Sequence, residues 1–296
     1  VNDNNSVFSV QPIIDVFSGR LQYTLNANQW DDDGVNVTVR LEDDGGIDNG
    51  GDDTSEDQTF TITVSPKADN PSATNASTLE DIMTSSGLVI SRNPVDGDEV
   101  KYFYIYSLTS TGTLYKPVEY GGTAIENNSY ISYAEGIAGL KFMPTANYNS
   151  EKYQFNFRVT ACTAVGSCSN PMFSAFVSIT VNAVNDPPVI GIARNQIDTL
   201  ITENSVNAKV FVPLNACTTT DVDSLIEGDQ LAYDFKLNTA NSNWDGDDVE
   251  DQTGLTPCST SFSLTPGQYK FDVTVRDLAD STSASTITVN VGKPTI

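Results

Sequence analysis

The chain has 296 residues, with 15 Lys plus Arg against 39 Asp plus Glu, no histidine and a formal net charge of −24. A polymer this acidic repels phosphate backbones and anionic headgroups, so the composition excludes nucleic-acid partners and membrane surfaces. The absence of histidine removes Ser-His-Asp and Cys-His chemistry, His-ligated metals and any unperturbed switch near neutral pH.

In chain order, the pattern has period two. The chain opens on Val1 with no basic and apolar leader, and reads as a mature or excised segment. Strands are expected over residues 6–10, 20–25, 35–42 and 59–64, the third from Val35, Val37, Val39 and Leu41 alternating with Asn36, Thr38, Arg40 and Glu42. A sandwich of this class needs about seven strands, so four leave the first domain incomplete, with an apolar face exposed. The missing strands are expected either from preceding residues of the same polypeptide or from another chain by β-augmentation. Lys67-Ala68-Asp69-Asn70-Pro71 then reads as a linker, because proline lacks the N–H that would continue a ladder.

The alternation returns at Tyr153, Phe155, Phe157 and Val159, followed by a β-branched strand over 177–181 and a second proline linker, Val184-Asn185-Asp186-Pro187-Pro188. It returns again at Tyr269, Phe271, Val273 and Val275, followed by a strand over 286–291. The repeat of roughly 110 residues divides the chain into domains at 1–66, 67–184 and 185–296. No dozen-residue window carries an uninterrupted helical stripe, and no apolar run approaches the roughly 20 residues of a membrane-spanning helix. The expected class is all-β, with no membrane insertion. Four cysteines, none in a C-x-x-C motif, point to two disulfides and an extracellular location. Four cysteines allow three connectivities; the short Thr163-Ala164-Val165-Gly166-Ser167 loop favours Cys162 with Cys168, leaving Cys217 for Cys258.

Thr180-Val181-Asn182-Ala183-Val184-Asn185-Asp186-Pro187-Pro188 resembles the junction between bacterial cadherin-like tandem repeats of giant surface adhesins. Residues 72–186 resemble one whole repeat, through Thr78-Leu79-Glu80-Asp81, Asp96-Gly97-Asp98, Gly112-Thr113-Leu114-Tyr115, Leu140-Lys141-Phe142-Met143-Pro144 and Ala146-Asn147-Tyr148-Asn149. Residues 1–66 resemble a related repeat through Leu21-Gln22-Tyr23-Thr24-Leu25 and Asp43-Asp44-Gly45-Gly46, and residues 185–296 do so more loosely, at their ends. The resemblance implies Ig-like or cadherin-like β-sandwiches arranged as an extended rod. It also implies calcium at the junctions, held by a glutamate of one domain, a linker aspartate, an Asp-x-Asp and a penultimate-loop aspartate of the next.

At the second junction these are Glu80, Asp186, Asp221, Asp223 and Asp277. At the first, Asp69, Asp96 and Asp98 are present with Asp43 and Asp44 nearby, but Thr160 takes the penultimate-loop position. A Cys162–Cys168 clip would stand there in place of the family's Asp-Gly loop. Calcium wants six to eight oxygens, and a single segment does not supply them. Acidic residues also populate loops simply as turn formers and solubilising charge.

The runs Asp31-Asp32-Asp33 and Asp245-Gly246-Asp247-Asp248 are the candidates for paired-carboxylate catalysis, but no apolar wall is legible beside them to raise one pKa, so the chain reads as non-catalytic. Trp30 and Trp244 beside them could stack on surface glycans, though core or loop-anchoring roles are commoner. Sequons at Asn4, Asn36, Asn75 and Asn127 are as many as chance gives in a chain rich in Asn, Ser and Thr. The expected function is an adhesive or structural spacer contacting neighbouring repeats; the alternatives are a fibre subunit joined to copies of itself and a calcium-dependent carbohydrate-binding module. Short proline linkers imply a length of roughly 100 Å in small-angle scattering, against about 50 Å for a compact particle.

Overall fold

A computed structural model describes residues 1–202, 208–223, 230–242 and 249–293. The chain is all-β and divides by its internal contacts into Val1–Asn182 and Ala183–Ile296. Among the described residues, the buried apolar side chains gather in three separate cores.

The first core, around Val7, Phe8, Val35, Val37 and Ile62, lies between two strand pairs. Phe8–Ile14 (β1) pairs with Leu21–Leu25 (β2), and Asp31–Val39 (β3) with Gln58–Val64 (β4). Residues 1–3 run along the other edge of β3, with the Val1 ammonium on the Thr38 carbonyl and the Thr38 amide on the Val1 carbonyl, each at 2.9 Å. The third strand ends earlier than its alternation implies. After Val39 the Leu41 amide is drawn to Ser55 Oγ at 2.9 Å, and its side chain is 75% exposed.

The second core lies between two sheets. Its strands are Ser72–Ala73 (β5), Ala76–Leu79 (β6), Ile90–Ser91 (β7), Tyr102–Tyr106 (β8), Gly112–Tyr115 (β9), Ala124–Ile125 (β10), Ser129–Ser132 (β11), Lys141–Pro144 (β12), Asn156–Ala164 (β13), Ser167–Cys168 (β14) and Ala175–Asn182 (β15). One sheet runs β11-β8-β13-β15-β6 with β14 beside β13, the other β10-β9-β12, and the short β5 and β7 pair with each other. Phe103, Phe157 and Val177 face Leu114 and Phe142 across the gap. The strand expected from Tyr153 starts instead at Asn156, because Tyr153 turns aside to stack on Tyr148 with ring centroids 3.9 Å apart. Phe155 still reaches the core.

Between β11 and β12 lies Tyr133–Ala138 (α1), the one α-helix among the described residues. Ser132 caps it: the Glu135 amide donates to Ser132 Oγ, and the Glu135 carboxylate accepts from the Ser132 amide at 2.6 Å and from Lys116 Nζ at 2.8 Å. Burial works against the Glu135 charge. The bonds from Lys116 and Ser132 outweigh it and hold the pKa below its ordinary 4.5. A depressed carboxylate stabilises the fold above its unfolded pKa, and that contribution is lost as pH falls through the folded value. Glu135→Gln is therefore expected to cost about 1–2 kcal/mol at neutral pH, a difference that closes in strong acid once the folded carboxylate is protonated, as read by urea titration at the two pH values. An equal difference at both pH values would refute the assignment.

The third core is built likewise from Gln196–Leu200 (β16), Val210–Asn215 (β17), Ala232–Leu237 (β18), Gln252–Leu255 (β19), Ser259–Leu264 (β20), Gly267–Arg276 (β21) and Thr282–Gly292 (β22). One sheet runs β16-β22-β21-β18-β19, and β17 pairs with β20. Strict alternation along β21 buries Tyr269, Phe271, Val273 and Val275 completely. In the second and third domains the last strand takes a parallel neighbour from the start of its own domain, β6 on β15 and β16 on β22.

Candidate cation sites in the linkers

The second linker is fastened to the domain that follows it. Val189 and Thr220 exchange backbone bonds at 2.7 and 3.0 Å, which brings the segment leaving the linker beside Asp221 and Asp223. The Asp223 amide donates to Asp221 Oδ1 at 3.0 Å, a local turn typical of aspartate. The Asp186 amide donates to Asp223 Oδ2 at 2.6 Å. Asp277 follows the end of β21 in a turn completed by Asp280 at a left-handed φ of 65°, and its carboxylate accepts from the Ser281 amide at 2.8 Å and Asn185 Nδ2 at 2.9 Å. Asp221 and Asp277 are both buried. Asn185 and Asp186 thus join loops that lie far apart in sequence. Glu80, in the preceding unit, is buried at the end of β6, where its amide donates to the Asn182 carbonyl at 2.9 Å.

At the first linker the same device recurs with different residues. The Asp69 amide donates to both carboxylate oxygens of Asp96, each at 3.2 Å. Burial raises the pKa of Asp96, and the charges of Asp69 and Glu99 raise it further, against the lowering effect of the Asp69 and Asn93 amides. Asp98 is not part of this group: its side chain is 93% exposed and pairs with Arg92. Glu99 is the buried partner, accepting from the Gly97 amide at 2.6 Å. Sequence spacing favours the Asp-x-Asp reading and misses Glu99, whose carboxylate folds back onto the Gly97 amide while Asp98 points to solvent. Asp43 takes the Gly45 amide in the loop closed by the Glu42–Thr54 bridge. Thr160 is a buried residue of β13.

Carboxylates and the side-chain oxygen of Asn185 are the hard donors that calcium takes, so the residues fit that ion in kind. Among the described residues, no three acidic, His or Cys side chains close on one point in a metal-holding arrangement. Binding would draw Asp223 and Asp277 partly away from the amides they now accept from.

Cys162 is joined to Cys168 and Cys217 to Cys258. The first bond clips the hairpin of β13 and β14, two residues after Thr160. The four sequon asparagines are all engaged: Asn4 Nδ2 on Asp31, Asn36 Nδ2 on Asp3, and Asn75 and Asn127 accepting from the Ser178 and Leu108 amides. In the first acidic run Asp31 also accepts from the Gly34 amide, and Trp30 beside it is partly exposed. Trp244 and the run from Asp245 to Asp248 lie outside the described residues.

No protein-family model matches the chain, and no curated protein matches it. Among solved structures it is similar to mouse cadherin-23 EC22-24, at 17% identity and a TM-score of 0.42 over 98% of this chain and 83% of that one. It is similar to human mucin-like protocadherin EC1-2, at 15% identity and 0.38 over 76% and 98%. It is also similar to a nucleoside hydrolase-related hypothetical protein from Saccharophagus degradans associated with carbohydrate metabolism, at 16% and 0.29 over 37% of this chain. The chain spans 26% of that last protein.

Proposed function

We propose that this chain is a non-catalytic, extracellular structural segment of tandem cadherin-like β-sandwiches, a spacer in a large bacterial adhesin or surface fibre, stiffened by calcium at its linkers. The observation that carries the reading is the fastening of Asn185 and Asp186 to Asp277 and Asp223, two loops of the domain they lead into. A cation held by Asp186, Asp221, Asp223 and Asp277 would neutralise buried carboxylates and fix the direction in which the linker enters that domain. Two disulfides fit an oxidising compartment.

Extracellular calcium modules bind at roughly 10⁻⁴ to 10⁻³ M, so about 1 mM calcium should stabilise the third domain by about 0.4–1.4 kcal/mol through linkage. Calorimetry should show its melting temperature rising with calcium, with the rise abolished in Asp221→Ala/Asp223→Ala. A melting temperature indifferent to chelation would leave the linker held by hydrogen bonds and proline alone.

A further inference from the structure

The broad sheets of the second and third domains correspond strand for strand, β11-β8-β13-β15-β6 to β19-β18-β21-β22-β16, so their outward sides can be compared directly. In the third domain that side is ordinary for a chain of this charge. Asp198, Asp234 and Asp272 stand on it with Lys236, Lys270 and Arg276, and no aromatic ring faces outward from the described residues of these strands. Its polar groups meet one another: Arg276 donates to Asp234 at 3.0 Å, Thr286 to Asp272 at 2.9 Å and Asn290 to Asp198 at 2.7 Å.

The second domain builds the same side differently. Strands β6, β8, β11, β13, β14 and β15 contain no Asp or Glu, and Arg158 is their one charged residue. Alternation along β8 turns Phe103 and Ile105 into the core and Tyr102, Tyr104 and Tyr106 outward. Register then sets Tyr130 opposite Tyr104, and Arg158 opposite Tyr106 with Phe176 beyond it. The rings form one group. Tyr104 lies 5.7 Å from Tyr106 and 4.8 Å from Tyr130 between centroids, and the Arg158 guanidinium sits 5.3 Å over the Phe176 ring. Tyr102 and Phe176 are 36% and 52% exposed, and the other three tyrosines are half-buried.

The hydroxyls are held in place. Tyr104 donates to Asn128 Oδ1 at 3.3 Å, Tyr106 donates to the Pro171 carbonyl at 3.1 Å, and Tyr130 accepts from the Gly166 amide at 3.1 Å. Rings fixed before a ligand arrives lose little freedom on binding it. Those bonds also select the ligand. Tyr104 and Tyr106 have given their protons to the protein, so their oxygens offer only lone pairs, whereas Arg158 offers only N–H groups. Thr160 Oγ1, opposite Tyr104 and buried, has no hydrogen-bond partner among the described residues.

We infer that this face binds an uncharged saccharide chain, whose C–H surfaces rest on the tyrosine rings while its hydroxyls donate to the tyrosine oxygens and accept from Arg158. A sugar hydroxyl both gives and takes a hydrogen bond, which matches the two kinds of group present. A proline-rich peptide, another guest of aromatic surfaces, brings carbonyls that only accept, and Tyr104 and Tyr106 have no proton left for them. A face whose one charge is positive does not draw a cation, and the net charge of −24 repels a polyanion. The site is distinct from the Trp30 loop and needs neither calcium nor the linkers.

The test is calorimetric titration of the whole chain, with a chelator present, by the hexasaccharides of cellulose, xylan and mannan. At least one is expected to bind. Tyr104→Ala/Tyr106→Ala should weaken that binding by about tenfold or more, while Lys270→Ala, on the counterpart face of the third domain, leaves it unchanged. Tyr104→Phe/Tyr106→Phe keeps the rings and removes the accepting oxygens, and should weaken binding about threefold or more with the melting temperature of the domain preserved. Four results would each overturn the inference: no binding of any of the three hexasaccharides, binding unchanged by both tyrosine variants, tighter binding of a proline decapeptide or of a galacturonan or chitosan hexamer, or a dimer of the chain that covers Tyr104.

Discussion

Replacing Cys217 and Cys258 with alanine is expected to lower the unfolding free energy of the third domain by about 4 kcal/mol, against about 2 kcal/mol for Cys162→Ala/Cys168→Ala in the second. The difference follows from the chain each bond closes, 41 residues apart in one case and 6 in the other. Cross-linking removes more denatured-state freedom from the longer loop. The longer bond also sits where the fold already brings its ends together. Asn215 pairs with Ser259 at the end of the β17 and β20 ladder, and the Ala216 amide donates to the Cys258 carbonyl at 2.9 Å, so the sulfurs add one rung to an existing ladder. Calorimetry on the two double variants decides the matter. Equal shifts of the two domain transitions would mean that the loop-closure argument does not govern stability here.

The second large effect is a contrast within one chain. Phe142→Ala should cost about 3–5 kcal/mol, the range for truncating a fully buried aromatic, because Phe142 packs edge-on against Phe155 and against Gly112 with no room to collapse. Tyr23→Ala, at the matching position of the first domain, should cost about 1 kcal/mol, since that ring is partly in water and keeps one edge-on contact with Phe8. Hydrogen exchange of the slowest amides in each domain reports the two losses separately. A Tyr23 variant as damaging as the Phe142 variant would mean that the first domain is closed in solution.

Much of the fold is legible in the sequence because alternation is a local property. β21 can be read whole: ten residues alternate without interruption, and each apolar one is buried. β13 is legible in its core residues but not in its start, because the stacking of Tyr148 on Tyr153 is a contact between side chains that spacing does not encode. The linker carboxylates divide in the same way. Asp277 stands out as the first residue after a long strand, yet its bond to Asn185 spans 92 positions and appears only when the domain is folded. Glu99 is hidden for a smaller reason. Asp98 and Glu99 share a turn in which Glu99 bonds the Gly97 amide and Asp98 faces solvent, and residue spacing carries no record of which one turns in.

The parallel pairing of first and last strands has a mechanical consequence. A pull on the two ends of the second domain draws β6 and β15 past each other lengthwise, and likewise β16 and β22 in the third, so the backbone bonds between them bear load together and must rupture nearly at once. Among the described residues β4 has no such parallel neighbour. Tension leaving through Val64 acts on an antiparallel pair, β3 and β4, whose bonds lie across the line of force on one side only. Stretched as a single molecule, the chain should give way first in its N-terminal sixty residues, at low force and with little recoil, while the two closed domains hold to a sharp and much higher threshold.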